Sequence, residues 1–181
     1  MNQATTAGKL EARLKAIIRD VPDFPKKGII FKDITPLLAD PAAFTEMIKY
    51  FAGQYRNSGI TKVLGIEARG FLLAAPIAVE LGAGLVPVRK KGKLPYKTVA
   101  AAYALEYGTD TLEMHEDAVK AGEKVLLVDD VLATGGTAAA VCTLIEKLGG
   151  KVAGVAMLIE LEFLKGRGKL GDRPVHSLIK Y

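Results

Sequence analysis

The chain has 181 residues, half of them hydrophobic, and 25 lysines and arginines against 20 carboxylates leave a net charge of +5. This is enough chain for one ordinary globular domain with a full core, and the lone cysteine, Cys142, excludes an intrachain disulfide. The positive charge favours anionic partners, small or polymeric. The polar start, Met1 to Lys9, does not read as a signal peptide, so a cytoplasmic protein is expected.

In chain order, Leu10, Leu14, Ile17 and Ile18 mark an amphipathic helix that stops before Val21 and Pro22. Asp40 followed by Pro41 predicts an N-cap and a first helical residue, with Phe44, Met47, Ile48 and Phe51 as the buried face. Thr61–Ile66 reads as a central strand, Phe71–Leu81 as a helix and Leu85–Val88 as the next strand. The turn between that strand and helix is Glu67, Ala68, Arg69 and Gly70, which places charge at a strand's carboxyl end. Gly70–Val88 is the most membrane-like stretch, but Pro76, Glu80 and Pro87 make it a buried helix and strand. From Lys90 to His115 the helical pattern is lost. Arg89, Lys90, Lys91, Lys93 and Lys97 crowd its start, and Val99–Tyr107 with Thr109–Met114 predict two strands around Gly108. Such a long excursion suggests a functional flap. His115 and His176 have no ligand-spaced partners and read as ordinary polar positions.

Val125–Thr137 carries the strongest chemical signal. Val125–Val128 is a short apolar run suited to a strand covered on both faces. Val141, Leu144, Ile145 and Leu148 then draw one face of a helix that Gly149 and Gly150 end, before a second apolar run from Lys151 to Ile159. This is a βαβ unit with Asp129 and Asp130 at the strand's carboxyl end, where open α/β sheets place ligands. Thr134, Gly135, Gly136 and Thr137 form the lip of the helix, where free amides and the dipole favour an anion. Two adjacent carboxylates at a core edge lose hydration, at a cost of several kcal/mol each. A charge-assisted hydrogen bond to a hydroxyl returns roughly 1.5–3 kcal/mol. Phosphate on the loop and a diol on the aspartates together point to a sugar phosphate. GxxxxGK[ST] does not occur. A receiver domain would need a later strand-end aspartate, and the candidate, Asp172, falls in a loop pattern.

Val125–Thr137 resembles the phosphoribosyl-diphosphate motif of type I phosphoribosyltransferases. Pro22–Pro25, Gly28–Pro36, Ala68–Phe71, Arg89–Pro95, Leu105–Gly108 and Leu164–Arg167 are similar to segments of the adenine phosphoribosyltransferases, so that the likeness covers nearly the whole chain from about Leu10. Lys27 departs from the pattern at a loop position where proline is common. The resemblance implies an α/β fold, a parallel sheet flanked by helices, in one domain over residues 1–181. A small hood for base recognition would occupy about 8–36 and a flexible flap about 90–115. The implied reaction joins adenine and 5-phosphoribosyl 1-diphosphate into AMP and pyrophosphate with Mg²⁺, held mainly by substrate oxygens and water. The 5′-phosphate would lie on Ala133, Thr134, Gly135, Gly136 and Thr137, and the ribose hydroxyls on Asp129 and Asp130. Pyrophosphate would meet Glu67, Ala68 and Arg69, at a cis Glu67–Ala68 peptide, with Arg89 and Lys93; Arg69 would also serve catalysis. Adenine would be read by Ile30, Phe31 and Lys32, with Leu158 on its other face. A homodimer is implied, with neither nucleic acid nor membrane as a partner.

Two other functions compete. Some proteins of this fold sense phosphoribosyl diphosphate and regulate through nucleic acid. Here about twenty residues precede Pro22, too few for a winged helix, and the basic cluster lacks interleaved aromatics beyond Tyr96. Phosphoribosyltransferases for hypoxanthine and guanine carry an aspartate where this loop has Ala133. The proton-handling group must then come from elsewhere, and Glu106, in the flap motif, is the residue the resemblance implies.

Overall fold

The computed structural model describes residues 3–104 and 109–181. Two compact units divide the chain, Met1–Tyr50 and Phe51–Tyr181.

The first unit opens with α1 (Gln3–Ile17), in which Leu10 and Leu14 are buried together with Ile18 just beyond. An antiparallel hairpin of β1 (Arg19–Pro22) and β2 (Ile30–Asp33) follows, with Val21 opposite Phe31. Four-residue strands separated by a proline-containing turn are too short for an alternation to show in the sequence. A short α2 (Thr35–Ala39) precedes α3 (Pro41–Tyr55), within which the two units meet in sequence. The expected cap is present, since the Ala42 and Ala43 amides both donate to Asp40 Oδ1 at 2.9 Å. Met47, Ile48 and Phe51 are buried as expected, and Phe44 is half-buried.

The second unit is built on β3 (Lys62–Ile66), α4 (Arg69–Leu81), β4 (Gly84–Lys90), β5 (Thr98–Ala104), β6 (Thr109–His115), β7 (Lys124–Leu132), α5 (Gly136–Lys147), β8 (Lys151–Glu160) and β9 (Val175–Lys180). Two 3₁₀ turns, Glu162–Leu164 and Gly166–Leu170, lie between β8 and β9. Among the described residues, seven strands form one sheet in the order β5-β6-β4-β3-β7-β8-β9. The five from β4 to β9 in that order run parallel, and β5 and β6 add an antiparallel edge. The sheet is therefore parallel at its centre, as expected, with the flap strands joined to it through Arg89 opposite Glu113 and Lys90 opposite Leu112.

Period-two alternation explains how the sheet is covered on both faces. Leu64 and Ile66 of β3 join a buried cluster with Leu127 of β7 and Val141, Leu144 and Ile145 of α5. The intervening Gly65 faces α4, where a Cβ would lie 2.8 Å from that of Ala74, so only glycine lets helix and strand approach this closely. The chain leaves β3 towards β4 on one side, and leaves β7 towards β8 on the other. Strand order thus reverses between β3 and β7, and this opens a crevice at their carboxyl ends.

Candidate active site

Both strands end in chemistry at that crevice. After β3 the chain turns through Glu67 and Ala68, joined by a cis peptide as expected, and enters α4 at Arg69. After β7 it passes Ala133 and Thr134 and enters α5 at Gly136. Neither helix start carries a side-chain cap, and the dipole of each helix favours an anion there. A cleft of about 260 Å³ is lined by Glu67, Ala68, Arg69, Asp129, Asp130 and Thr137 of the expected residues. Ile66, Lys90, Tyr103 and Leu112 complete its wall.

The aspartates are held in different ways. Asp130 is buried and accepts a hydrogen bond from Arg69 Nε, which ties the two crevice turns together. Asp129 Oδ1 accepts the Asp130 amide at 2.9 Å. Burial first, and the neighbouring Asp130 charge second, push the Asp129 carboxyl well above the usual carboxylate range. Gly70 leaves this space open, since a Cβ there would lie 2.7 Å from Asp129 Oδ1.

Arg89 and Lys93 lie in a cationic cluster around Glu67. Lys93 Nζ donates to Glu67 Oε1 at 2.7 Å, Arg89 donates to both carboxylate oxygens at 3.3 Å, and the Lys90 amide donates to Oε2 at 3.2 Å. The Lys93 ammonium, helped by Arg89 and the Lys90 amide, holds the Glu67 carboxyl down to about 2. The basic turn is well anchored: Arg89 donates to the Lys93 carbonyl at 3.0 Å, and the Gly92 amide to buried Glu113 at 3.0 Å. Lys90 Nζ pairs with Asp110 at 3.2 Å, and the Tyr103 hydroxyl donates to the same carboxylate at 3.3 Å.

Lys90, Tyr103, Asp110 and Glu113 are therefore site residues that the sequence reading did not single out. The basic character of Lys90 was visible, but the cross-strand register that brings Tyr103 opposite Asp110 was not. Gly166 is another. Gly135 has φ +77°, and a Cβ on it would collide with the Gly166 main chain, while a Cβ on Gly166 would collide with the Ala133 carbonyl. The phosphate-loop candidate is thus backed by bare backbone.

Of the remaining expected residues, Ile30, Phe31 and Lys32 lie in the first unit on β2. Ile30 is exposed, Phe31 meets Phe24 edge-on at 5.2 Å, and Lys32 pairs with Asp20 at 2.7 Å. Leu158 is wholly buried in β8. Glu106 lies outside the described residues.

Residues 33–174 match the family model described as a phosphoribosyl transferase domain. The adenine phosphoribosyltransferase of Myxococcus xanthus is 56% identical over 172 residues, which is 95% of this chain and 94% of that protein. The chain belongs to the adenine phosphoribosyltransferase family. Solved structures of the family agree. The adenine phosphoribosyltransferase of Rhodothermus marinus superposes with a TM-score of 0.92 at 52% identity, over 96% of this chain and 99% of that one. That of Saccharomyces cerevisiae, in complex with D-2,5-dideoxy-2,5-imino-altritol 1,6-bisphosphate and adenine, gives 0.90 at 40% identity over 94% and 99%.

In a family built on this loop, Gly135→Val has two expected consequences. The side chain would meet the Gly166 main chain and would also hold a left-handed conformation, a strain of about 1–3 kcal/mol. Thermal unfolding should fall by roughly 5 °C, and kcat/KM for phosphoribosyl diphosphate by at least about tenfold. A parental melting curve with lost activity would mean that the valine obstructs only the anion.

Proposed function

We propose that this protein transfers a phosphoribosyl group from 5-phosphoribosyl 1-diphosphate to adenine, giving AMP and pyrophosphate in purine salvage. The observation that carries this is the crevice itself. A carboxylate pair and an uncapped helix start stand on one side, and the Glu67–Gly70 turn with its cationic root stands on the other. The separation of acid and base suits a ligand with a diol at its middle and phosphates at both ends.

The residues divide the work by chemistry. The 5′-phosphate lies on the amides and hydroxyls of Ala133–Thr137, and the ribose 2′- and 3′-hydroxyls donate to Asp129 and Asp130. The amides of Glu67–Gly70, with Arg69, Arg89 and Lys93, take the pyrophosphate. As the bond to pyrophosphate breaks, positive charge grows on the ribose and negative charge on the leaving group, so fixed cations favour the transition state. The donors that line the cleft beside this position are hard carboxylate oxygens, which fits a hydrated Mg²⁺. Bound Mg²⁺, held by substrate oxygens and water, supplies charge neutralisation on the diphosphate. Adenine is received by Ile30, Phe31 and Lys32; Leu158, wholly buried in β8, has no face to offer it, and Glu106 shares the proton at the purine imidazole.

The protein acts as a homodimer in the cytoplasm. Leu72 and Val79, two turns apart on one face of α4, are 50% and 82% exposed and offer an apolar contact surface. Among the described residues no helix is long and apolar enough to cross a membrane.

An assay of adenine, hypoxanthine, guanine, xanthine and orotate with phosphoribosyl diphosphate tests the reading. Turnover of adenine is expected to exceed that of every other base, and preference for any other base would overturn it. Phe31→Ala should raise the KM for adenine roughly tenfold by removing an aromatic face, with the KM for phosphoribosyl diphosphate within about twofold of the parent. Equal effects on both would make Phe31 a packing residue for Phe24.

A further inference from the structure

An acid in a pyrophosphate-binding turn is an oddity, because it repels the ligand that the turn serves. Its contacts resolve the oddity. The Glu67 side chain is only 13% exposed, and its two oxygens take four donors: Lys93 Nζ, two nitrogens of Arg89 and the Lys90 amide. Those cations are the ones a pyrophosphate would need. We propose that Glu67 is a built-in competitor of pyrophosphate, a carboxylate that occupies the cationic cluster until a phosphate group displaces it and that returns to help the product leave.

Two physical consequences follow. The cluster stays ordered in the empty site, because its cations already have an anion of the right charge and spacing. The affinity for pyrophosphate is also lowered, since every contact the ligand makes with Arg89 or Lys93 replaces one already made. Displacement extends to the flap strands. Lys90 gives its amide to Glu67 and its ammonium to Asp110 of β6, which also accepts from Tyr103 of β5. Glu67 is thus a positioning residue that sets how tightly the leaving group is held.

This inference rests on pyrophosphate binding at the cationic cluster, so the experiment separates the two. Magnesium pyrophosphate and ribose 5-phosphate are titrated calorimetrically into the parent, Glu67→Gln, and the double variant Arg89→Met/Lys93→Met. Loss of one repelling charge a few ångströms from a polyanion should make Glu67→Gln bind pyrophosphate about tenfold more tightly. Ribose 5-phosphate should bind within about twofold of the parent, and kcat should fall as product release slows. The double variant should weaken pyrophosphate by at least about tenfold. If the double variant binds pyrophosphate like the parent, the cluster is not the pyrophosphate site. If it weakens binding while Glu67→Gln binds pyrophosphate equally or less tightly, Glu67 supports the site and the competitor role is wrong.

Discussion

The double variant Asp129→Asn/Asp130→Asn is expected to lose at least about a hundredfold in kcat/KM for phosphoribosyl diphosphate while remaining folded. Each carboxylate is assigned a ribose hydroxyl, and a charge-assisted hydrogen bond is worth about 1.5–3 kcal/mol, so the pair accounts for two to four powers of ten. The single variants should differ in stability. Asp130→Asn removes the charge that Arg69 binds across the crevice. Asp129→Asn removes a charge that burial and Asp130 both disfavour. Because the folded Asp129 carboxyl titrates above its unfolded value, its contribution to stability is full below about pH 3.9 and declines as pH rises through the folded value. Asp129→Asn should therefore melt above the parent at neutral pH, and the gap should close on acidification below about pH 4. Melting curves from pH 3.5 to 8 check the sign. Near-parental turnover of the double variant would remove the diol assignment.

Glu106→Leu is expected to lower kcat at least a hundredfold with substrate binding largely kept, because a placed acid or base contributes roughly 10²–10⁴-fold. The reasoning is chemical. As adenine N9 attacks, the imidazole's proton inventory changes and a carboxyl near N7 can share the proton. Ala133 removes the carboxylate that the phosphate loop would otherwise supply, and Glu106 stands in the segment Leu105–Gly108 that matches the family flap. Glu106→Gln keeps the shape and removes the charge, so it separates proton handling from positioning. A loss below about threefold for Glu106→Leu would assign catalysis to positioning alone.

The two βαβ units were legible because each rests on a local signal. Val125–Val128 is a four-residue apolar run, the helix after it repeats every third and fourth residue, and Asp40 precedes Pro41 at a helix start. The crevice was legible for the same reason, since Glu67–Gly70 follows a strand directly and Asp129–Thr137 runs from the end of a strand into the next helix. What connects them was not. Arg69 reaches Asp130 across the strand reversal, and no spacing records a contact between residues so far apart. The attachment of the sheet's edge was hidden as well. The two flap strands were expected, but their link to β4 runs through Arg89 opposite Glu113, charged residues that carry no hydrophobic period. The role of Glu67 was hidden because a carboxylate beside a phosphate site looks like a ligand contact, whereas its partners are cations supplied by β4 and the turn after it.

Gly135 and Gly166 illustrate a different kind of constraint. Most packed pairs can exchange bulk, one residue shrinking as the other grows, so that a defect at one position is repaired at the second. Here the obstacle to a Cβ on either glycine is the other loop's main chain, which no substitution can trim. A library randomised at both codons and selected for salvage of adenine should return glycine twice, with no compensated combinations. Two loops remote in the chain would drift through sequence space as one unit, bound by the absence of side chains.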